Sequence, residues 1–94
     1  MGQASNPPNE QRWKELQETL DRLHDWPGLY TFKFVVPTVE LSRTLEALDN
    51  RPFAARYSKN GRYVSLSATL RMDSSGEVIK LYRAVDGIPG LVSL

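Results

Sequence analysis

Few residues in this sequence of 94 could take part in catalysis. The chain has one histidine, His24, and no cysteine, and Ser58, Ser65 and Ser67 have no imidazole near them in the predicted plan. A serine nucleophile needs such a base, and a typical zinc site needs several nitrogen or sulfur ligands. His24 precedes Asp25 at the predicted end of a helix, where a cation complements the helix dipole. No phosphate loop or catalytic carboxylate pair is present. We therefore expect no enzyme activity, no metal and no cofactor.

Basic residues are concentrated in one segment, although 12 Lys and Arg against 11 Asp and Glu leave the whole chain at only +1. Residues 1–50 and 72–94 carry −3 and −1, whereas residues 51–71 carry +5 and contain no acidic residue. The five bases of that segment are Arg51, Arg56, Lys59, Arg62 and Arg71. Such a patch is either solvated or attracts an anionic ligand or partner.

The N-terminal part predicts a tail and a helix. Residues 1–8 are polar and include Pro7-Pro8, which is typical of a disordered tail. Asn9 can cap an amphipathic helix over residues 9–26, which Pro27-Gly28 ends. Its apolar seam consists of Trp13, Leu16, Leu20 and Leu23. This seam packs on the protein's own domain or forms an interface with another subunit.

Nothing in these segments indicates a membrane or an export route. The first residues have neither an apolar signal region nor an arginine-rich transit pattern, and no apolar run approaches the length that spans a bilayer. We expect a cytoplasmic protein without a membrane partner.

Residues 29–94 predict a β-α-β-β-α-β order. Alternation from Tyr30 to Val36 indicates the first strand. Thr38 is the expected N-cap of a helix that Asp49, Asn50 and Pro52 terminate. For the second helix, Ser74 and Glu77 have capping-box spacing and Gly87 fits the left-handed position after its end. Leu91 to Leu94 form a fourth strand.

Asn60-Gly61 predicts a hairpin between the second and third strands, because these residues adopt the positive φ values of a type I′ turn. A two-residue loop pairs Arg56 with Ser65 and Ser58 with Tyr63. In that register three other pairs share the opposite, apolar face: Tyr57 with Val64, Ala55 with Leu66 and Phe53 with Ala68.

The order is that of a ferredoxin-like α+β fold, a four-stranded antiparallel sheet with two helices on one face, plus the extra N-terminal helix. The other face is solvated, or is covered by that helix or by a second subunit. It carries hydroxyl groups bordered by cations: Lys33, Arg56, Ser58, Tyr63, Ser65, Ser67, Thr69 and Arg71. The outer strands leave unpaired edges, so we expect a homodimer.

RNA-recognition modules share this topology and stack bases on aromatic residues of the third strand. Here Arg62 stands where the first aromatic residue belongs, and only Tyr63 faces outward. Nucleic acid is therefore not the expected partner.

Four segments of the chain resemble the YbeD-like family of small uncharacterised bacterial proteins: YTFKFVVP at 30–37, SKNGRYVSLS at 58–67, VIKLY at 78–82 and GLV at 90–92. The resemblance covers Trp26 to Leu94. It implies a fold similar to the ACT domain, a small-molecule-sensing regulatory module. In ligand-binding ACT domains a glycine-bearing loop follows the first strand. Here Val36-Pro37-Thr38 occupies that turn, which argues against an effector site there.

We expect a non-enzymatic regulatory or interaction module that binds an anionic metabolite or an acidic protein through its basic hairpin. The alternative is a nucleic-acid-associated protein that uses the same patch. The predicted contact residues are Arg56, Ser58, Lys59, Arg62, Tyr63, Ser65 and Arg71.

Overall fold

The computed structural model describes residues 8–94 and has the predicted fold class. Its elements are α1 (Pro8–Leu23), β1 (Gly28–Pro37), α2 (Leu41–Ala47), β2 (Ala54–Tyr57), β3 (Tyr63–Met72), α3 (Ser75–Val85) and β4 (Val92–Ser93). A 3-10 turn, Thr38–Glu40, joins β1 to α2. After α1 the order is the expected β-α-β-β-α-β.

The four strands form one antiparallel sheet in the order β2-β3-β1-β4. The two central strands, β1 and β3, pair over ten positions from Gly28 opposite Met72 to Pro37 opposite Tyr63. The outer strands are short, and β4 pairs only with Phe34 and Val35. The predicted edge positions of β2 and the C-terminal strand are therefore confirmed.

The hydrophobic core lies between one face of the sheet and the helices. Its buried side chains from β1, β3 and α3 are Phe32, Phe34, Val36, Val64, Leu66, Met72, Val78, Ile79, Leu81 and Val85. The rings of Phe34 and Tyr82 meet edge to face at 5.9 Å between their centroids, the geometry that aromatic pairs favour.

Helix α1 packs against α3, on the side of the sheet that already carries the core. Leu20 is buried, the ring of Trp13 lies 5.7 Å from the Arg83 guanidinium carbon, and Arg83 pairs with Glu10 at 2.7 Å. The hydrogen bond from Arg83 and the positive charge of Arg83 lower the pKa of the Glu10 carboxyl group. The seam of α1 thus packs on its own domain and leaves the opposite face of the sheet uncovered.

The predicted limits of the N-terminal elements need correction. Of the predicted tail, residues 1–7 lie outside the described residues. Pro8 already belongs to α1, so Asn9 lies within the helix and is not its N-cap. The helix ends at Leu23 rather than at residue 26, because the chain turns there and the Trp26 indole donates a hydrogen bond back to Asp21. Leu23, at this end, is 71% exposed and does not belong to the seam.

The predicted capping box of α3 and the predicted end of α2 are confirmed. The N–H of Glu77 donates to Ser74 Oγ, and the Glu77 carboxylate accepts from the N–H of Asp73. Asp49 and Asn50 end α2 in the left-handed region, with φ of 57° and 53°. Thr38, however, caps no helix: α2 begins only after the 3-10 turn, and the Thr38 hydroxyl donates to the carbonyl of Gly61 instead.

The left-handed position near the C-terminus lies at Gly90, not at Gly87 as predicted. The N–H of Ile88 bonds to the carbonyl of Val85, so the chain continues its turn past Gly87 and buries Ile88. Gly90 then reverses the chain with φ of 77°. A Cβ at Gly90 would lie 2.7 Å from Cγ of Pro37, so this position requires glycine for both conformation and space.

We predict that Gly90→Ala lowers the free energy of unfolding by about 1–3 kcal/mol, because alanine is strained at positive φ and its methyl group meets Pro37. Gly87→Ala is the matched control, since its Cβ would meet no atom within 4 Å. That substitution should leave stability unchanged or raise it by up to about 1 kcal/mol. Thermal melts of both variants check this, and equal melting temperatures would contradict the assignment.

Candidate functional site: the open face of the sheet

The open face is the side of the sheet opposite the helices. None of the four strands contains an aspartate or a glutamate, so every charged side chain on this face is a cation. The alternation of each strand and the register place the following residues here: Leu29, Thr31, Lys33, Val35, Ala54, Arg56, Tyr63, Ser65, Ser67, Thr69, Arg71 and Val92.

The register arranges these side chains in rows across the strands. Lys33 lies opposite Ser67, which lies opposite Ala54. In the next row, Ser65 lies between Val35 and Arg56. Each row therefore has a serine of β3 at its centre and one cation at one end, and the two cations lie on opposite sides of β3.

These two rows form a cleft of about 320 Å³ at the centre of the open face. Its lining residues are Lys33, Ala54, Ala55, Arg56, Ser65 and Ser67. The predicted contacts included Arg56 and Ser65 but not Lys33 or Ser67, although both had been placed on this face. Strand alternation placed Lys33 on this face, but only the β1–β3 register shows that Lys33 lies beside the hairpin.

The hairpin has the predicted register but not the predicted turn. Arg56 pairs with Ser65 and Tyr57 with Val64, as expected. Gly61 has a positive φ of 74°, whereas Asn60 does not, so the turn is not type I′. The strands are joined by a four-residue loop over residues 59–62, in which the N–H of Gly61 donates to the carbonyl of Ser58.

The N–H of Ser58 donates to the carbonyl of Tyr63 and closes the loop, and side chains add further hydrogen bonds within it. Asn60 Oδ1 accepts from the N–H of Arg62 and from the Ser58 hydroxyl, both at 3.0 Å. Ser58 Oγ accepts in turn from the N–H of Tyr63 at 3.1 Å. Ser58, a predicted ligand contact, thus has a structural role in the loop.

The inward side of β2 is less buried than predicted. Tyr57 is 56% exposed and Ala55 is also exposed, because no helix of the described chain extends over this edge strand. Only Phe53, just before β2, reaches the core, with its ring centroid 6.0 Å from that of Phe34.

The predicted contact residues fall into three groups. Arg56, Ser58, Tyr63 and Ser65 are close neighbours where β2 and β3 meet the hairpin loop. Lys59 and Arg62 are exposed in the loop beyond them. Arg71 lies opposite Leu29 at the far end of β3, six residues and roughly 20 Å from Ser65. Arg71 shares the face but not the cleft.

In the turn after β1, Thr38 uses both of its hydrogen-bond donors within the protein. Its N–H donates to the carbonyl of Arg62 and its hydroxyl to that of Gly61, while Pro37 packs against Gly90. Thr38 therefore connects the end of β1 to the hairpin loop.

The helical side has a cavity of about 420 Å³ between α1, α3 and the C-terminal segment, lined in part by Trp13, Leu16 and Tyr82. The hydroxyl groups of Tyr82 and Tyr30 lie 2.9 Å apart. Burial, followed by this hydrogen bond, raises the pKa of Tyr82 far above its ordinary value. Tyr82 stays neutral and serves as a hydrogen-bonded packing residue.

Among residues 8–94, no group of three or more His, Asp and Glu side chains is placed to hold a metal ion. No helix in this part of the chain combines the length and the apolar character needed to cross a membrane.

Residues 21–93 match the family described as "Protein of unknown function (DUF493)". The chain belongs to this family. YbeD is also a member, so the resemblance noted in the sequence is confirmed at the level of the family. The match covers all four strands, α2 and α3, but of α1 only its last three residues. Comparisons with curated proteins and with solved structures gave no match. The ACT-like assignment stays a prediction.

We predict that Asn60→Ala lowers the free energy of unfolding by about 0.5–1.5 kcal/mol, because it removes the acceptor for the Arg62 N–H and the Ser58 hydroxyl. Lys59→Ala changes the neighbouring exposed residue and should alter stability by less than about 0.5 kcal/mol. Urea denaturation of both variants checks this. An equal effect of the two substitutions would show that the loop does not depend on Asn60.

Proposed function

We propose that this protein is a non-enzymatic interaction module whose open face docks an acidic segment of a partner protein. The observation that carries the proposal is the charge of this face: four strands without an acidic residue present Lys33, Arg56 and Arg71, and the hairpin loop adds Lys59 and Arg62. A surface of one sign attracts partners of the opposite sign and accelerates their association.

The extent of the cationic surface favours an extended segment over a small anionic metabolite. The ten residues of β3 span about 30 Å, with Arg62 just before the strand and Arg71 near its other end. Sites for small molecules are typically concave and bury most of the ligand. The open face is a sheet surface with a shallow central cleft, so one metabolite would contact only a fraction of its cations.

Exposed apolar side chains on the same face support contact with protein. Tyr63 is 49% exposed, and Val92, 53% exposed, lies beside Val35 in the β1–β4 register. Interfaces combine apolar and aromatic residues at their centre with a polar rim. Together with the cations, these residues suit a segment that carries both acidic and apolar side chains.

Nucleic acid remains the competing partner. Modules that bind single strands combine a cationic groove with several aromatic stacking platforms. On the open face Tyr63 is the sole aromatic residue of the described chain, while Trp13 and Trp26 pack on the helical side. The cationic surface suits both partners, and the aromatic residues favour the protein segment.

The expected homodimer, regulatory role and cytoplasmic location belong to the same proposal. The outer edges of β2 and β4 have no neighbouring strand within the described chain, so a second copy can pair there without covering the open face. Regulation is suggested by the predicted similarity to the ACT domain, which is a small-molecule-sensing regulatory module. Analytical ultracentrifugation tests the dimer, and a strictly monomeric mass at high micromolar concentration would contradict it.

We predict that replacing Arg56, Lys59 and Arg62 together by Ser weakens binding of a glutamate-rich peptide by about tenfold, because three exposed charged contacts of roughly 0.2–1 kcal/mol each are lost. The matched control replaces Arg12, Lys14 and Lys80, three exposed bases on the helices, by Ser. This control removes the same charge and should change the affinity less than about threefold, since only long-range attraction is lost.

Isothermal titration calorimetry at fixed salt concentration measures both variants. Equal losses would show that net charge alone attracts the peptide and would contradict docking on the open face. Tighter binding of a single-stranded oligonucleotide than of the peptide, with a steeper salt dependence, would favour the nucleic-acid alternative.

A further inference from the structure

The central cleft of the open face holds two cations that no acidic residue neutralises. Lys33 and Arg56 both line it, on opposite sides of β3. The ion pairs of residues 8–94 are Arg43 with Glu40 and Arg83 with Glu10, and neither involves the cleft. Two cations that share one cleft repel each other, and a bound anion relieves this repulsion.

The floor of the cleft supplies hydrogen-bond donors between these cations. Ser65 and Ser67 alternate along β3, so both hydroxyl groups are on the open face. Neither hydroxyl is engaged in a side-chain hydrogen bond with another residue of the described chain, in contrast to Thr31 and Thr69, which bond to each other at 2.8 Å. The cleft therefore combines two positive charges with two available hydroxyl groups.

This set of donors matches a phosphoryl group better than a carboxylate. A phosphomonoester carries a charge of about −1.5 to −2 at neutral pH and three strong acceptor oxygens. A carboxylate carries one negative charge and two oxygens, so it would leave one cation of the cleft unneutralised. The guanidinium of Arg56 can also bind two phosphate oxygens through its planar fork of N–H donors.

The small side chain of Ala54 keeps the cleft open. Ala54 lies in one row with Ser67 and Lys33, directly beside Arg56 in sequence. A larger apolar side chain at this position would project from the open face into the space above Ser67. The cleft thus depends on a small residue as well as on its charges.

We propose that Lys33, Arg56 and the hydroxyl groups of Ser65 and Ser67 form a binding site for a phosphomonoester group. The proposal rests on the proposed function, in which a docked acidic segment supplies this group as a phosphorylated side chain. Free phosphate makes the same contacts with the cleft but none with the rest of the open face.

The test uses two acidic peptides that differ only at a central serine, which is phosphorylated in one of them, and inorganic phosphate as the third probe. The phosphoserine peptide should bind at least about tenfold more tightly than the serine peptide, because the phosphate adds charge-assisted hydrogen bonds. Inorganic phosphate should bind weakly and compete only with the phosphoserine peptide. If phosphate alone binds as tightly as the phosphoserine peptide, the ligand is a free phosphate and the docked segment is not its source.

Three variants locate the site. Lys33→Gln and Arg56→Gln should each reduce the preference for the phosphoserine peptide to about threefold or less, since each removes a charge-assisted contact. Ala54→Leu should reduce it without a change in charge. Arg71→Gln is the control, because it removes an equal charge from the same face but lies outside the cleft, four residues and about 13 Å along β3 from Ser67. It should leave the preference unchanged while weakening both peptides equally.

Two results would overturn the site and leave the proposed function standing: equal binding of the two peptides, or a preference that Arg71→Gln reduces as much as Lys33→Gln. If neither peptide binds, the proposed function and the site both fail. Circular dichroism of each variant confirms that the exposed substitutions leave the fold intact.

Discussion

The antiparallel pairing of β1 with β3 is the constraint on which the rest of the structure depends. Ten residue pairs join the two central strands without a break in register. Because side chains alternate along a strand, this register turns Phe32, Phe34 and Leu66 toward the helices. It turns Lys33, Ser65 and Ser67 to the opposite side in the same step. A slip of one residue would expose the core and bury the cations, so the core and the open face stabilise one arrangement together.

The helices then determine which surface is available to a partner. All three lie on the core side, and α1 is held there by burial of Leu20 and by the contacts of Arg83 with Trp13 and Glu10. Most of α1 lies outside the part of the chain that matches the family, whereas the whole sheet lies inside it. The open face is therefore built by the segment that the family shares.

Local signals predicted the fold and part of the site. The alternation of the strands, the capping box at Ser74 and the position of Asn60-Gly61 identified the element order and the hairpin register, because each depends on residues close in sequence. The turn type was wrong since it depends on hydrogen bonds of the Ser58 and Asn60 side chains. The left-handed position predicted at Gly87 was wrong because the burial of Ile88, a tertiary effect, carries the turn on to Gly90. Lys33 was missed as a neighbour of Arg56 because their proximity requires the pairing of β3 with both β1 and β2.

The central claim is that the open face, and not the helical side, is the binding surface. Amide chemical shifts of the ¹⁵N-labelled protein, followed during titration with a glutamate-rich peptide, test this claim most directly. We predict that the shifts change along β1, β2, β3 and the hairpin loop, most strongly around Ser65 and Ser67, while the amides of α1 and α3 stay unchanged. Changes confined to α1, α3 and the cavity beside Trp13 would contradict it.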